Sequence, residues 1–246
     1  MVENRENIVI IPTYNEIENI EDILRAVVAL EVHFDIMVVD DNSPDGTAQK
    51  VMELAEEFPN QIILEQRTEK SGLGTAYIHG FKKALALGYQ YIFEMDADFS
   101  HNPKDLIRLY EACSKEGNDL AVGSRYIRGV NVVNWPMSRV LLSFFAGVYV
   151  RMITGMKIMD PTAGFKCFSR KVLETIDLDN IRFVGYAFQI EMKFKSWKRG
   201  FKIKEVPIIF TDRTKGESKM SHHIIKEAVF GVISMTINSW FSSSKK

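Results

Sequence analysis

The sequence predicts an α/β protein whose mostly parallel, doubly wound sheet is flanked by helices. In the first half of the 246 residues, short runs of β-branched and aromatic residues alternate with stretches whose apolar residues follow helical spacing. Loops rich in Asp, Asn, Pro and Gly follow these runs, where strands would end. Ligands of such sheets bind beyond the carboxyl ends of the strands, so the loops at residues 12–16, 40–47 and 96–101 should line one crevice.

The predicted strands cover residues 8–11, 36–39, 62–64, 89–93 and 120–122. The first connecting helix has apolar residues at positions 17, 20, 23, 24 and 27, and the second at 48, 51, 52, 55 and 58. Gly72 and Gly74 open the third helix, and they lack the third glycine of a dinucleotide-binding fingerprint, so they indicate a turn and helix entry. The sequence also has no GxxxxGK[ST] phosphate loop, which argues against an NTPase.

Asp96 and Asp98 follow the fourth strand, two residues apart. In extended backbone their side chains point to the same side, and two like charges so close need a cation if they are shielded from water. Carboxylate oxygens suit a hard divalent ion, so the pair predicts Mg²⁺ or Mn²⁺. A solvated turn remains the alternative for this tripeptide taken alone.

Composition excludes several classes of protein. The net charge of −1 gives no whole-molecule attraction to nucleic acid, and Cys113 and Cys167 form no CxxC pair. The polar, charged residues 1–7 show no signal peptide, and no uncharged apolar run reaches the roughly 20 residues that a transmembrane helix needs. We therefore expect a cytoplasmic protein without a transmembrane helix.

The second half has a different pattern, because no acidic residue lies between Arg125 and Asp160. An apolar helix at about residues 138–157, with basic residues at its ends, suits the lipid interface, and a buried amphipathic helix is the alternative. Residues 221–246 repeat the pattern, which predicts a catalytic domain at 1–220 followed by an amphipathic, membrane-facing helix. A basic cluster at residues 193–204 is predicted to be a solvated face.

Six motifs occur in order along the chain, and together they carry a family resemblance. They are Pro12-Thr13-Tyr14-Asn15-Glu16, Asp40-Asp41-Asn42-Ser43-Pro44-Asp45-Gly46-Thr47, Gly72-Leu73-Gly74-Thr75-Ala76-Tyr77, Met95-Asp96-Ala97-Asp98, Gly123-Ser124-Arg125-Tyr126, and Asp212-Arg213 with Gly216-Glu217-Ser218-Lys219. The chain resembles the dolichol-phosphate (polyprenyl-phosphate) mannosyltransferases of glycosyltransferase family 2, which have a GT-A fold. The resemblance implies metal-dependent transfer of mannose from GDP-mannose to a polyprenyl or dolichyl phosphate, with inversion at the sugar carbon.

The resemblance also assigns residue roles. It implies that Asp96, Asp98 and Ser100 place the Mg²⁺ or Mn²⁺ ion, with the neutral Ser100 oxygen acting through water. It implies that the donor is bound by Pro12, Tyr14, Glu16, Val39, Asp41, Asp96, Ala97, Asp98, Ser100, Arg125, Arg213 and Lys219. Gly216 beside Lys219 suggests a loop that closes over the donor. The resemblance further implies that the protein attaches peripherally to the cytoplasmic face of a membrane. A small membrane protein is a possible binding partner.

The acceptor explains why no catalytic base is expected. A phosphate monoester with a second pKa of about 6 is already largely an oxyanion at neutral pH. Cationic groups must instead position the acceptor, and Arg125 and Arg139 are the candidates for holding the lipid phosphate. Together with Asp98 of the acidic pair, they are the predicted catalytic residues.

Three other functions remain open at this point. A polyprenyl-phosphate glucosyltransferase using UDP-glucose, or another family 2 enzyme with a soluble or saccharide acceptor, would share the same motifs. Nucleotidyl transfer would release pyrophosphate and need no lipid. A non-catalytic sugar-nucleotide binder fits less well, because every expected charged position is occupied.

Overall fold

The computed structural model describes residues 6–185, 187–213 and 222–242, with a seven-stranded sheet at its centre. The strands of this sheet are β1 (Asn7–Thr13), β2 (Asp35–Asp40), β3 (Ile62–Gln66), β4 (Tyr91–Glu94), β5 (Leu120–Ser124), β7 (Lys166–Ser169) and β8 (Ile203–Pro207). A separate parallel pair is formed by β6 (Val132–Val133) and β9 (Phe210–Thr211). The helices are α1 (Ile20–Val28), α2 (Thr47–Glu57), α3 (Leu73–Leu87), α4 (Asp105–Ser114), α5 (Met137–Thr154), α6 (Arg170–Thr175), α7 (Ala187–Lys198) and α8 (His222–Ser242).

The strand order is β3-β2-β1-β4-β7-β5-β8, and every pair of neighbouring strands that does not include β7 is parallel. β7 lies antiparallel between β4 and β5. The prediction of a mostly parallel, doubly wound sheet is therefore confirmed, and all five predicted strands are present. The strands β7 and β8 were not predicted.

Two apolar layers hold the sheet between its helices. One face packs against α1, α2 and α4, and Phe34 and Phe93 meet there edge to face at 5.2 Å. The other face packs against α3, α6 and α7 through Tyr77, Phe81 and Phe188, which stack on one another. Because both faces are covered, the central strands β1, β2 and β5 are largely apolar, as parallel strands usually are. The edge of the sheet from which the loops emerge is therefore the part that remains open to a ligand.

The start of α3 shows why the predicted turn needs glycine. Gly72 has a φ of +103°, a conformation that L residues with side chains rarely adopt. A Cβ on Gly74 would lie 2.8 Å from the Phe183 carbonyl oxygen and 2.9 Å from Cγ of Phe188. The prediction that these glycines form a turn and helix entry is confirmed.

The helices α5 and α8 pack together on one side of the molecule. The Tyr149 hydroxyl donates to the Val229 carbonyl at 2.8 Å, and Val150 and Val232 share a small apolar cluster with α7. Much of α5 is nevertheless uncovered, and Phe145 and Met152 are 60% and 78% exposed. By length and composition alone α5 could cross a bilayer, and it is the one such helix in the described part of the chain. It carries two arginines, however, and gives no clear transmembrane span.

Candidate active site

The first two polar loops are tied to each other by hydrogen bonds. The Thr13 hydroxyl donates to Oδ1 of Asp40 at 2.8 Å, and the Ser43 backbone N–H donates to Oδ2 of the same carboxylate at 2.8 Å. At the far ends of the same two loops, the Glu16 N–H donates to the Thr47 hydroxyl at 3.0 Å. The completely buried Asp40 carboxylate therefore organises the ends of β1 and β2 as one unit.

The third loop emerges next to the first because β4 pairs with β1. The Met95 N–H donates to the Ile10 carbonyl at 3.2 Å, which continues the parallel pairing up to Asp96. The negative charge of Glu16 is near enough to contribute to a raised pKa of Asp96. The three loops thus lie next to one another at one edge of the sheet, as predicted.

The base of the crevice on the β2 side is formed by Asp41 and an arginine that sequence reasoning missed. Arg67 Nε donates to Oδ1 of Asp41 at 2.6 Å, and its Nη1 donates to the Thr75 hydroxyl at 2.8 Å. Burial raises the pKa of Asp41, and the hydrogen bond and charge of Arg67 oppose that rise. Lys70 lies 4.2 Å above the Tyr14 ring, within cation–π range.

Several predicted donor-binding residues lie in the crevice wall with little side-chain exposure. Val39 is completely buried in the sheet, while Ala97 and Ser100 are 4% and 3% exposed. Pro12 is half-buried at the end of β1. Val39 therefore offers a ligand no accessible surface in this structure, and Ala97 and Ser100 offer very little.

The acidic pair lies at the floor of the crevice. Asp98 is 7% exposed, and its Oδ1 accepts the Ser100 N–H at 3.0 Å, across a turn in which Phe99 has a φ of 57°. Although 40% of the Asp96 side-chain surface reaches solvent, burial among protein groups raises the pKa of Asp96 to about 7. The charges of Asp98 and then Glu94 add to that shift.

This donor set fits a divalent cation that shares its coordination with a ligand. The Asp96 and Asp98 carboxylates lie two residues apart and repel each other, and a bound cation would offset that repulsion. Within the residues that the structure describes, no group of three or more His, Cys, Asp or Glu side chains could hold a metal. Asp96, Asp98 and Ser100 would thus leave positions for water or phosphate oxygens, which is usual for Mg²⁺.

A buried charged network underlies the acidic pair. Glu94 and Lys166 are completely buried, with Oε2 and Nζ 3.0 Å apart, and Gln189 Nε2 donates to Glu94 at 2.8 Å. Lys193 is also completely buried and donates to the Ala163 carbonyl at 2.5 Å. The prediction that residues 193–204 form a solvated face is therefore wrong at Lys193, because its ammonium group is buried and donates to a backbone carbonyl inside the protein.

Arg125 is held in place by a buried carboxylate. Its Nε and Nη2 each donate to Asp160 at 2.7 Å, and Nη2 also donates to the Thr162 hydroxyl at 2.8 Å. Asp160 is completely buried, and it accepts the Arg125 backbone N–H as well, at 3.0 Å. Local sequence gives no signal for this pair, since 35 residues separate its members.

Arg139 and Arg213 are held similarly, by acidic residues of the same region. Arg139 Nη1 donates to both oxygens of Asp212 at 2.8 and 2.9 Å, and Arg213 Nη2 lies 3.0 Å from Oδ2 of Asp98. The Trp135 ring lies 4.1 Å from the guanidinium carbon of Arg139 and 5.6 Å from that of Arg125. The structure therefore brings the two predicted phosphate-binding arginines to one indole. Lys219 and Gly216 lie outside the described residues.

An α/β fold with an acidic pair, polar loops and arginines at one sheet edge is compatible with a glycosyltransferase. The profile described as Glycosyl transferase family 2 matches residues 8–177, and the chain belongs to this family.

The relatives extend this result. The chain is 47% identical to the polyprenol monophosphomannose synthase of Mycolicibacterium smegmatis, over 93% of this chain and 86% of the relative. It is 40% identical to the dolichol-phosphate mannosyltransferase of Pyrococcus furiosus, over 89% of this chain but only 60% of that longer protein. The predicted resemblance to polyprenyl-phosphate mannosyltransferases is confirmed.

A solved structure supports the GT-A fold. Glucosyl-3-phosphoglycerate synthase from Mycobacterium tuberculosis, in complex with Mn²⁺, UDP-glucose and phosphoglyceric acid, superimposes with a TM-score of 0.69 at 17% identity. The match covers 95% of this chain and 79% of that chain. At this identity the likeness concerns the fold.

Proposed function

We propose that this protein transfers mannose from GDP-mannose to a polyprenyl or dolichyl-type phosphate with inversion, giving polyprenyl-phosphate mannose. The observation that carries the proposal is that Arg213 contacts Asp98, while Arg125 and Arg139 lie at one indole at the start of the exposed apolar helix α5. The names of the relatives support both the sugar and the lipid phosphate.

The nucleoside of the donor is assigned to the crevice between the ends of β1 and β2. Asp41 can accept hydrogen bonds from base N–H groups, and Glu16 can accept them from ribose hydroxyls. Tyr14 offers an aromatic face, and the half-buried Pro12 lines the wall, with the completely buried Val39 behind it. Lys219 is assigned to the donor phosphates together with Arg125 and Arg213.

Asp96 and Asp98, with Ser100 nearby, are proposed to hold Mg²⁺ or Mn²⁺. When bound, such an ion neutralises charge that develops on a diphosphate leaving group. Arg213, already 3.0 Å from Asp98, can place a guanidinium against the same phosphates.

Arg125 and Arg139 orient the acceptor phosphate. Its oxyanion attacks the sugar carbon on the face opposite the leaving diphosphate. Because that oxyanion is deprotonated at neutral pH, the chain need not remove a proton.

The exposed apolar surface of α5 and α8 is proposed to lie on the cytoplasmic face of a membrane. Phe145 on α5 and Phe230 on α8 are 60% and 71% exposed, and such residues enter the acyl boundary in interfacial helices. Arg139, at the start of α5, then lies where a lipid headgroup meets its chain. A small membrane-protein partner could cover part of the same surface.

The test mixes purified protein and polyprenyl phosphate with labelled GDP-mannose or UDP-glucose, with and without a chelator. We expect label from GDP-mannose in the organic phase, lost with chelator and restored by added Mg²⁺ or Mn²⁺. Label from UDP-glucose alone would make the protein a glucosyltransferase, and release of pyrophosphate without lipid product would indicate nucleotidyl transfer. Arg139→Ala should raise the KM for lipid phosphate far more than the KM for nucleotide sugar.

A further inference from the structure

The guanidinium of Arg139 is fixed from two directions. Trp135 covers its face at 4.1 Å, and Asp212 accepts two contacts from Nη1 at 2.8 and 2.9 Å. Each of these partners is itself anchored, because the Trp135 ring meets Phe210 edge-on at 5.2 Å and the Asp212 N–H donates to the Val133 carbonyl at 3.0 Å. The indole sets the plane of the guanidinium, and the carboxylate sets its direction within that plane.

The contacts of Trp135 and Asp212 with Arg139 also join two parts of the site. Trp135 precedes α5 and Arg139 lies in its first turn, whereas Asp212 follows β9, 73 residues away from Arg139 in the chain. The next residue, Arg213, contacts Asp98 of the acidic pair. Two adjacent residues thus hold an arginine at the start of the membrane-facing helix and a carboxylate at the crevice floor.

We propose that Trp135 and Asp212 are positioning residues, which act on the acceptor phosphate through Arg139. The inference rests on the proposed function and assigns these two residues a role in the use of the lipid phosphate. An arginine that is free to sample many rotamers gives up that freedom when it binds phosphate, and a guanidinium already held by ring and carboxylate gives up less. Removal of either partner should therefore weaken the capture of acceptor. Asp212 Oδ1 also accepts the Arg213 N–H at 3.1 Å, but an Asn side chain keeps an oxygen for that contact, so the donor side should stay intact.

The test compares Trp135→Leu and Asp212→Asn with the wild-type protein, at varied polyprenyl phosphate and varied GDP-mannose. We expect the KM for polyprenyl phosphate to rise roughly 5- to 30-fold and the KM for GDP-mannose to change less than about 2-fold. Trp135→Phe, which keeps an aromatic face, should recover most of the loss. When Arg139→Ala is already present, Asp212→Asn should have no further effect, because it acts through that side chain. Trp135→Leu should then keep only the smaller effect that it has through Arg125, which lies 5.6 Å from the ring.

Trp197→Leu is the matched control. Lys198 lies 5.7 Å from the Trp197 ring, but Trp197 lies near Gly155, at the opposite end of α5 from Arg139, so both KM values should stay at wild-type levels. Thermal melts identify any variant that fails to fold, and Trp135→Phe then carries the comparison.

Two results overturn the inference alone: equal rises in both KM values, or an effect of Asp212→Asn that adds to that of Arg139→Ala. If the wild-type protein makes no lipid-linked mannose, the proposed function fails, and this inference fails with it.

Discussion

Substitution of Asp160 tests how much of the fold depends on the buried Arg125 pair. Asp160→Asn keeps the shape of the side chain but removes the charge that compensates a guanidinium whose side chain is only 11% exposed. The carboxylate currently accepts three contacts from Arg125, at 2.7, 2.7 and 3.0 Å, and one from Thr162 at 3.1 Å. An amide oxygen can replace only some of them.

The expected cost follows from that geometry. Removal of one partner of a buried ion pair leaves a desolvated charge, which typically destabilises a protein by about 3–5 kcal/mol. At about 2–4 °C per kcal/mol for a chain of this size, the melting temperature should fall by about 6–20 °C. This is a large share of a total stability of about 5–15 kcal/mol.

The assay is urea and thermal unfolding at several pH values. Burial alone would raise the pKa of Asp160, but the charge and hydrogen bonds of Arg125 outweigh it and hold the pKa below its usual value. The stability from this carboxylate is therefore fully present above about pH 4, its range in the unfolded chain, and is lost as pH falls through the lower folded pKa. The difference in the free energy of unfolding between wild type and Asp160→Asn should become smaller below about pH 4.

Two further variants complete this test. Glu57→Gln breaks an exposed pair with Arg25 and should leave the melting temperature unchanged. Replacement of Arg125 and Asp160 together by Leu should recover much of the loss, because no unpaired charge remains buried. An Asp160→Asn protein within about 1 kcal/mol of wild type at pH 7 would refute the reasoning, since it would mean that Arg125 does not depend on this carboxylate.

Two other predictions concern packing and membrane contact. Gly74→Ala should destabilise the fold by about 1–3 kcal/mol in urea unfolding, because its Cβ would meet a backbone oxygen at 2.8 Å. Gly164→Ala, whose Cβ would have no neighbour nearer than 3.6 Å, is the control, and equal stabilities for the two variants would contradict the packing argument. Phe145→Glu combined with Met152→Glu should reduce sedimentation with anionic phospholipid vesicles roughly tenfold, because both side chains are exposed on α5. Met52→Glu, at an exposed position on α2, should bind like wild type, and unchanged binding of the double variant would exclude this face of α5 as the membrane contact.

The parallel sheet and the crevice could be predicted because both follow from local patterns. Alternating strands and helices leave few ways to pair the strands, and parallel strands bring their carboxyl ends to one edge. Asp96 and Asp98, the loop at Asp40 and the glycines before α3 therefore lie where the sequence indicated.

The parts that could not be predicted depend on contacts between distant segments. β7 has only four residues, and it inserts antiparallel between two strands that local pattern cannot pair. Lys193 resembles its solvent-exposed neighbours in sequence, and only the fold supplies the Ala163 carbonyl that accepts its ammonium group. Arg67 and Asp212 were likewise missed as partners of Asp41 and Arg139, because 26 and 73 residues separate the members of these pairs.

The measurement that bears most directly on the account is glycolipid formation by Asp98→Asn, with a melt to confirm that the variant is folded. We expect transfer of mannose to polyprenyl phosphate to fall at least roughly 100-fold, since cation-assisted departure of the diphosphate is worth several kcal/mol. Asp179→Asn, at a side chain 80% exposed, should retain wild-type activity. A folded Asp98→Asn protein with undiminished output would contradict the central claim that the acidic pair serves the transfer of the sugar.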